Sequence, residues 1–153
     1  MLANQVIEKA RIRELIPHAG LMCLLDQVTE WDDKRIVCTS ETHLNVDNPL
    51  RSNQQLPATA LIEYGAQAMA THGGLVAMKY AQVIRSGYIA SIRNVFIETS
   101  GDMSISSAPL YVKAEQQLSA DGNMIYNFSV STDQHRLISG RVTVVAIFDK
   151  PET

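Results

Sequence analysis

The sequence predicts an α+β fold in which a strongly curved antiparallel sheet wraps one long helix. Three observations carry that prediction. Residues 57–80 read as a single long helix, rich in Ala and Gly, with Pro57 in its first turn. The chain after it turns wholly β-like, with strands expected at 87–98, 109–119, 123–132 and 135–148. Ahead of the helix lie two more strand-like runs, at 21–31 and 34–43. A sheet with one apolar face must cover that face, and this helix is the long element available to do so.

Taken in order, residues 4–15 place Val6, Ile7, Ala10, Ile12 and Leu15 at helical spacing, compatible with a short amphipathic helix that ends before Pro17. The first two strands meet at Asp32-Asp33, and the second alternates cleanly through Ile36, Cys38 and Ser40. A polar, turn-rich segment follows at 44–56, too polar for the core and expected to fold over something. In the long helix, Gly73-Gly74 weakens the middle. Asp121-Gly122 supplies a hairpin turn between two of the later strands. An antiparallel sheet of this kind leaves an edge strand that invites a second copy, so a dimer is expected.

At 153 residues the chain reads as one domain, 1–153. Its composition, 46% hydrophobic and 19% charged, is that of a globular protein. The net charge is −3, from 13 basic and 16 acidic residues, with no basic cluster, which argues against nucleic acid or an anionic membrane as partner. No apolar run reaches the roughly 18 residues of a membrane span, and the N-terminus lacks a signal-peptide pattern. Cys23 and Cys38 are read as buried free thiols, which points to a reducing cytoplasm.

The chemistry centres on the helix. Glu63 is a carboxylate in an otherwise apolar rod, and at about 100° per residue Glu63, Tyr64, Gln67 and Thr71 share one narrow sector. Two readings stand. Glu63 pairs at a surface or subunit seam with a base such as Arg93 or Arg141, or it lines a pocket beside a carbonyl held by the helix N-terminus. Of the four histidines, His135 falls in a hairpin turn and His72 suits packing. His18 suits a hydrogen bond that anchors the N-terminal segment, and His43, beside the polar loop, is open to either role. Their spacing and the absence of Cys-x-x-Cys predict no metal site. No nucleophile elbow, phosphate loop or dinucleotide fingerprint is present.

Three motifs in order add to this reading: Ile16-Pro17-His18-Ala19-Gly20 leading to Leu24-Leu25-Asp26, then Glu63-x-x-Ala66-Gln67, then Gly140-Arg141 opening a final apolar strand. Over residues 15–148 the chain resembles the hotdog-fold 3-hydroxyacyl-ACP dehydratases, in particular the divergent branch associated with aryl-polyene-type clusters. The resemblance implies a hotdog fold, a homodimer or higher oligomer, an acyl-ACP or acyl-CoA substrate and no cofactor. It implies Glu63 as one catalytic group. It places Ala58 and Thr59 at the helix start that binds the thioester carbonyl, with Gln67 and Asn48 on the substrate side. The family's His-Phe-Pro loop stands here as Asp47-Asn48-Pro49. Glu63 is therefore expected to work with a substitute base, Asp47 or a relocated His: His43, four residues upstream of Asp47, reaches the site only if the loop rearranges, and His18 is the other catalytic candidate. The alternatives are an acyl-ACP-binding subunit that pairs with an intact dehydratase as a heterodimer, or a hotdog thioesterase.

Overall fold

The computed structural model describes residues 6–18, 20–105 and 107–149. The chain begins with a two-residue strand, β1 (Ile7–Glu8), followed by helix α1 (Lys9–Leu15). Strands β2 (Gln27–Trp31) and β3 (Arg35–Ser40) form a hairpin, and helix α2 (Leu61–Lys79) follows after a 3₁₀ turn at Ala58–Ala60. Four long strands complete it: β4 (Ile84–Ile97), β5 (Leu110–Ala120), β6 (Asn123–Ser131) and β7 (Arg136–Phe148). The seven strands of the described residues join one antiparallel sheet in the order β1-β2-β3-β5-β6-β7-β4, with β4 at one edge.

The sheet curves around α2, which packs on β3, β5 and β6. Alternation along β6 shows the division, because Met124, Tyr126, Phe128 and Val130 are buried while the residues between them are half-exposed. The closest approach is at Phe128. A Cβ built on Gly65 of α2 would lie 2.5 Å from Phe128 Cδ2, and one on Gly140 of β7 would lie 2.8 Å from Phe128 Cε1. The ring is wedged between a helix backbone and a strand backbone, and both glycines are needed for that thickness. The β5–β6 turn is formed by Asp121 and Gly122 at φ of 53° and 82°, the left-handed pair of a type I′ hairpin.

Two expectations change. The strand expected at 21–31 starts only at Gln27; a 3₁₀ turn occupies Gly20–Met22, and Cys23–Asp26 lies outside the sheet. The reason is chemical: Met22 C=O and Leu24 N–H bond the Gln67 side chain, so these groups are not free for a ladder. The helix expected at 4–15 forms only from Lys9, because Ile7 and Glu8 pair with Val28 and Gln27 as an extra strand; Asn4 and Gln5 lie outside the described residues. Helix α2 runs unbroken through Gly73-Gly74, and Gly74 lets Leu15 of α1 approach, its absent Cβ falling 3.4 Å from Leu15 atoms. At its end, Lys79 Nζ and Tyr80 OH bond the Asp33 carboxylate of the β2–β3 turn at 2.6 and 2.5 Å. These bonds hold the Asp33 carboxyl below its usual range. No described helix is long and apolar enough to cross a membrane.

Candidate active site

Helix α2 delivers its polar residues to the segment that precedes β2. Gln67 is fully buried, and its amide is oriented by the backbone on both sides. Oε1 accepts the Leu24 N–H at 2.9 Å, and Nε2 donates to Met22 C=O at 2.6 Å. Because a backbone N–H only donates and a C=O only accepts, this assignment is unambiguous. The clamp holds residues 22–24 against the helix and so fixes the stretch that carries His18, four residues before Met22. One turn N-terminal to Gln67, Glu63 Oε1 meets His18 Nε2 at 3.1 Å and Gln67 Nε2 at 3.4 Å. The His18 and Glu63 side chains remain 29% and 33% exposed, so the pair is open to a ligand on one side. The partner of Glu63 is thus neither Arg93 nor Arg141; Arg141 Nε instead donates to Asn127 Oδ1 at 3.0 Å.

The inner side of the His18 ring has its own signature. Its Nδ1 is buried and finds no hydrogen-bond partner among the described residues. The Glu63 contact therefore decides which nitrogen is engaged. Ala19, next to it in the chain, lies outside the described residues.

The loop before α2 is tied down through Tyr64, which is fully buried. Its hydroxyl lies 2.8 Å from Thr42 Oγ1 and accepts from Asn48 Nδ2 at 3.0 Å. Burial raises the Tyr64 phenol above its ordinary pKa. Asn48 spends the rest of its amide on Thr42 C=O and on the Leu50 N–H. This use as a loop clip is what the structure gives the side chain expected on the substrate side. Asp47 is exposed, and its backbone N–H bonds Asn45 Oδ1 at 2.9 Å. Within one chain, the group that bonds Glu63 across this site is His18 and not Asp47. His43 is fully buried.

Ala58 and Thr59 sit in the 3₁₀ turn that opens α2, where the first N–H groups of a helix have no intrahelical acceptor. The turn is held by Asp102, whose Oδ1 accepts the Leu56 N–H at 2.8 Å, while Leu56 C=O accepts from the Met103 N–H. Sequence reading gave no role to Asp102, because the contact closes between positions 46 residues apart.

At the far end of α2, His72 is fully buried between Tyr126 and the Asp32 carbonyl. Asp32 C=O only accepts, so Nε2 carries the proton and Nδ1 accepts from the Tyr126 hydroxyl at 2.7 Å. Burial lowers the His72 pKa and pushes Tyr126 up to about 12. This is the packing role expected for His72. Cys23 and Cys38 are both buried free thiols, and desolvation raises Cys38 well above the ordinary thiol range. Among the described residues no cluster of ligands suits a metal ion.

Residues 10–152 match the ApeP-like family, described as ApeP dehydratase. The chain belongs to that family. The ApeP-like chain is also similar to solved structures. It superposes on the dehydratase heterocomplex ApeI:P from Xenorhabdus doucetiae with a TM-score of 0.77 at 20% identity, covering 92% of this chain and 91% of that one. A mutant thioesterase from Pseudomonas aeruginosa gives a TM-score of 0.66 at 11% identity, over 97% and 100% of the two chains. The PaaI protein of E. coli gives 0.56 at 13%, over 78% of each. These likenesses establish the hotdog fold that the sequence predicted. No curated protein sequence matches the chain.

Proposed function

We propose that this ApeP-like chain dehydrates 3-hydroxyacyl thioesters, with His18 and Glu63 as its proton-transfer pair and a second hotdog chain completing the working unit. The observation that carries the reading is the 3.1 Å contact between His18 Nε2 and Glu63 Oε1, held from behind by Gln67 and open to solvent in front. Dehydration removes a proton from C2 and expels the C3 hydroxyl as water, leaving a C2=C3 double bond conjugated to the thioester. It requires a positioned base, a proton for the leaving oxygen, and stabilisation of the enolate-like carbonyl oxygen. An adjacent imidazole and carboxylate exchange a proton and can return it to the leaving hydroxyl. The N–H groups of Ala58 and Thr59, at the start of the same helix, suit the thioester oxygen. His18 thus takes the role that the loop histidine fills in related dehydratases, and Asp47 is not required for it.

The second chain is argued from β4. This edge strand exposes Tyr88, Ile92 and Phe96 at 56%, 42% and 62%, a long apolar edge of the kind that pairs with another strand. The similar ApeI:P structure is a dehydratase heterocomplex. A homodimer or a heterodimer with another dehydratase both fit the edge. The substrate is an acyl-ACP or acyl-CoA, and two buried thiols suit a cytoplasmic setting.

The test is enoyl-thioester formation from a 3-hydroxyacyl-ACP, by the purified chain alone and mixed with an intact hotdog dehydratase. Glu63→Ala and His18→Ala are each expected to lower the rate about 10²-fold or more, the usual size of a general acid–base contribution. Undiminished dehydration by Glu63→Ala would overturn the proposal. Activity that appears only in the mixture and ignores Glu63 would make the chain a binding subunit. Release of free thiol without enoyl product would make it a thioesterase.

A further inference from the structure

The face of the sheet turned away from α2 carries a charge arrangement that the His18–Glu63 pair does not use. Register places Arg35, Glu115, Asn127, Arg141 and Arg93 in one row running from β3 to β4. In the neighbouring row Lys113 stands opposite Ser129, which stands opposite Ser139. Between the two rows runs a groove of about 560 Å³, floored by these short hydroxyl side chains. Neither His18 nor Glu63 lines it.

Arg93 and Arg141 face each other directly across β4 and β7. Like charges directly opposed in an antiparallel pair are destabilising. Among the described residues neither arginine forms an ion pair with a carboxylate, and nor does Lys113. The cations at the rim are different: Arg35 pairs with Glu30 at 2.6 Å and Arg136 with Glu98 at 3.1 Å. One carboxylate, Glu115, lines the groove against Arg35, Lys113, Arg136 and Arg141, and this local excess of cations stands in a chain that carries −3 as a whole. Strands about 4.8 Å apart and about 3.4 Å per residue set Lys113 on β5 and Arg141 on β7 about 12 Å from each other, while Arg93 stands directly opposite Arg141, about 5 Å away. The two arginines alone could close on one phosphate, but no single phosphate spans all three cations. The three suit carboxylates distributed along a chain.

We propose that this outer groove docks an acidic polypeptide segment of a partner protein, its carboxylates meeting Lys113 and Arg141 in the groove and Arg93 beside it on β4, while its backbone lies over Ser129 and Ser139. Arg141 is already oriented for this by its bond to Asn127. Opposed cations that cost stability in the free chain become the source of attraction once an acidic segment lies between them. The groove is separate from the proton-transfer pair, and the proposal holds whether or not Glu63 does chemistry.

The full-length chain, titrated into a fluorescein-labelled Glu-rich peptide and followed by anisotropy, tests it. Binding is expected to saturate, to weaken with added salt, and to fall about tenfold or more in Lys113→Glu/Arg141→Glu, as expected for reversed charge at a complementary interface. Arg136→Glu, whose cation is already paired with Glu98, is expected to change little. Amide shifts on addition of the peptide should fall on β5–β7. If the double reversal does not fold by circular dichroism, Lys113→Gln/Arg141→Gln gives the same comparison. Absence of binding, or equal binding by the charge variants, overturns the proposal. Displacement of the peptide by low-millimolar inorganic phosphate would instead mark a small-anion site, and tighter binding of duplex DNA a nucleic-acid surface; either result also overturns it.

Discussion

The side-chain amide of Gln67 closes on Leu24 from 43 residues away, its Oε1 accepting the Leu24 N–H at 2.9 Å while its Nε2 reaches Met22 C=O. This clamp makes Gln67 a positioning residue: it places the His18 segment against Glu63. Gln67→Leu leaves the buried Leu24 N–H without a partner, at a cost of about 1–3 kcal/mol, and the half-exposed Met22 C=O without its bond. Hydrogen exchange at Leu24 should quicken, and the Glu63-dependent activity should fall with it. Gln67→Glu should not rescue, because a carboxylate accepts from Leu24 N–H but repels both Met22 C=O and the Glu63 carboxylate. Full activity in Gln67→Leu with unchanged exchange at Leu24 would remove the positioning role.

Gly65 and Gly140 set the thickness of the layer between helix and sheet. Gly65→Ala forces a Cβ to 2.5 Å from a Phe128 ring that Gly140 already holds from the other side, so the ring has nowhere to retreat. Overpacking of this kind costs about 1–3 kcal/mol. Chemical denaturation should show it as a lower midpoint at unchanged slope. Phe128→Leu in the same chain should recover part of the loss by making room. A Gly65→Ala chain as stable as the parent would show that the helix can lift from the sheet at this point.

The edge strand gives a third expectation. Ile92→Lys and Phe96→Lys put charge on the exposed β4 edge, where they touch little of the chain's own core. Sedimentation should show the associated species giving way to a single chain, with thermal stability of the isolated fold little changed. Unaltered association in both variants would move the interface away from β4.

How much of this was legible in the sequence depends on the range of the interaction. The long helix, the four later strands and the Asp121-Gly122 turn were readable because each rests on local propensity and periodicity. Glu63 stood out because a carboxylate in a small-residue helix is chemically anomalous. The strand expected from residue 21 failed because alternation of Leu and Cys says nothing about where the backbone groups go, and here Gln67 takes them. The His18–Glu63 contact spans 45 positions, so the sequence named both residues without joining them. Asn48 was visible as a polar loop residue, but its role as a clip to Tyr64 depends on the helix beneath it.

His72 supplies a pH signature of the fold itself. Burial lowers its folded pKa below the unfolded value of about 6.5, so the unfolded chain binds a proton more readily. The stability that comes from neutral His72 is therefore complete above about pH 6.5 and is lost as pH falls toward the lowered folded value. Protonation would also turn Nδ1 into a donor facing the Tyr126 hydroxyl and end the bond that Tyr126 now donates. The carboxylates of Asp33, Glu98 and Asp102 are held below their usual values, so their own acid loss falls at lower pH and separates from this step. Denaturation midpoints measured between about pH 4.5 and 7 should decline on the acid side of 6.5, a window set by the unperturbed histidine value. The decline should flatten in His72→Gln, which cannot take up the proton. A parent chain equally stable across that window, or a His72→Gln chain with the same acid slope, would assign the dependence to another group.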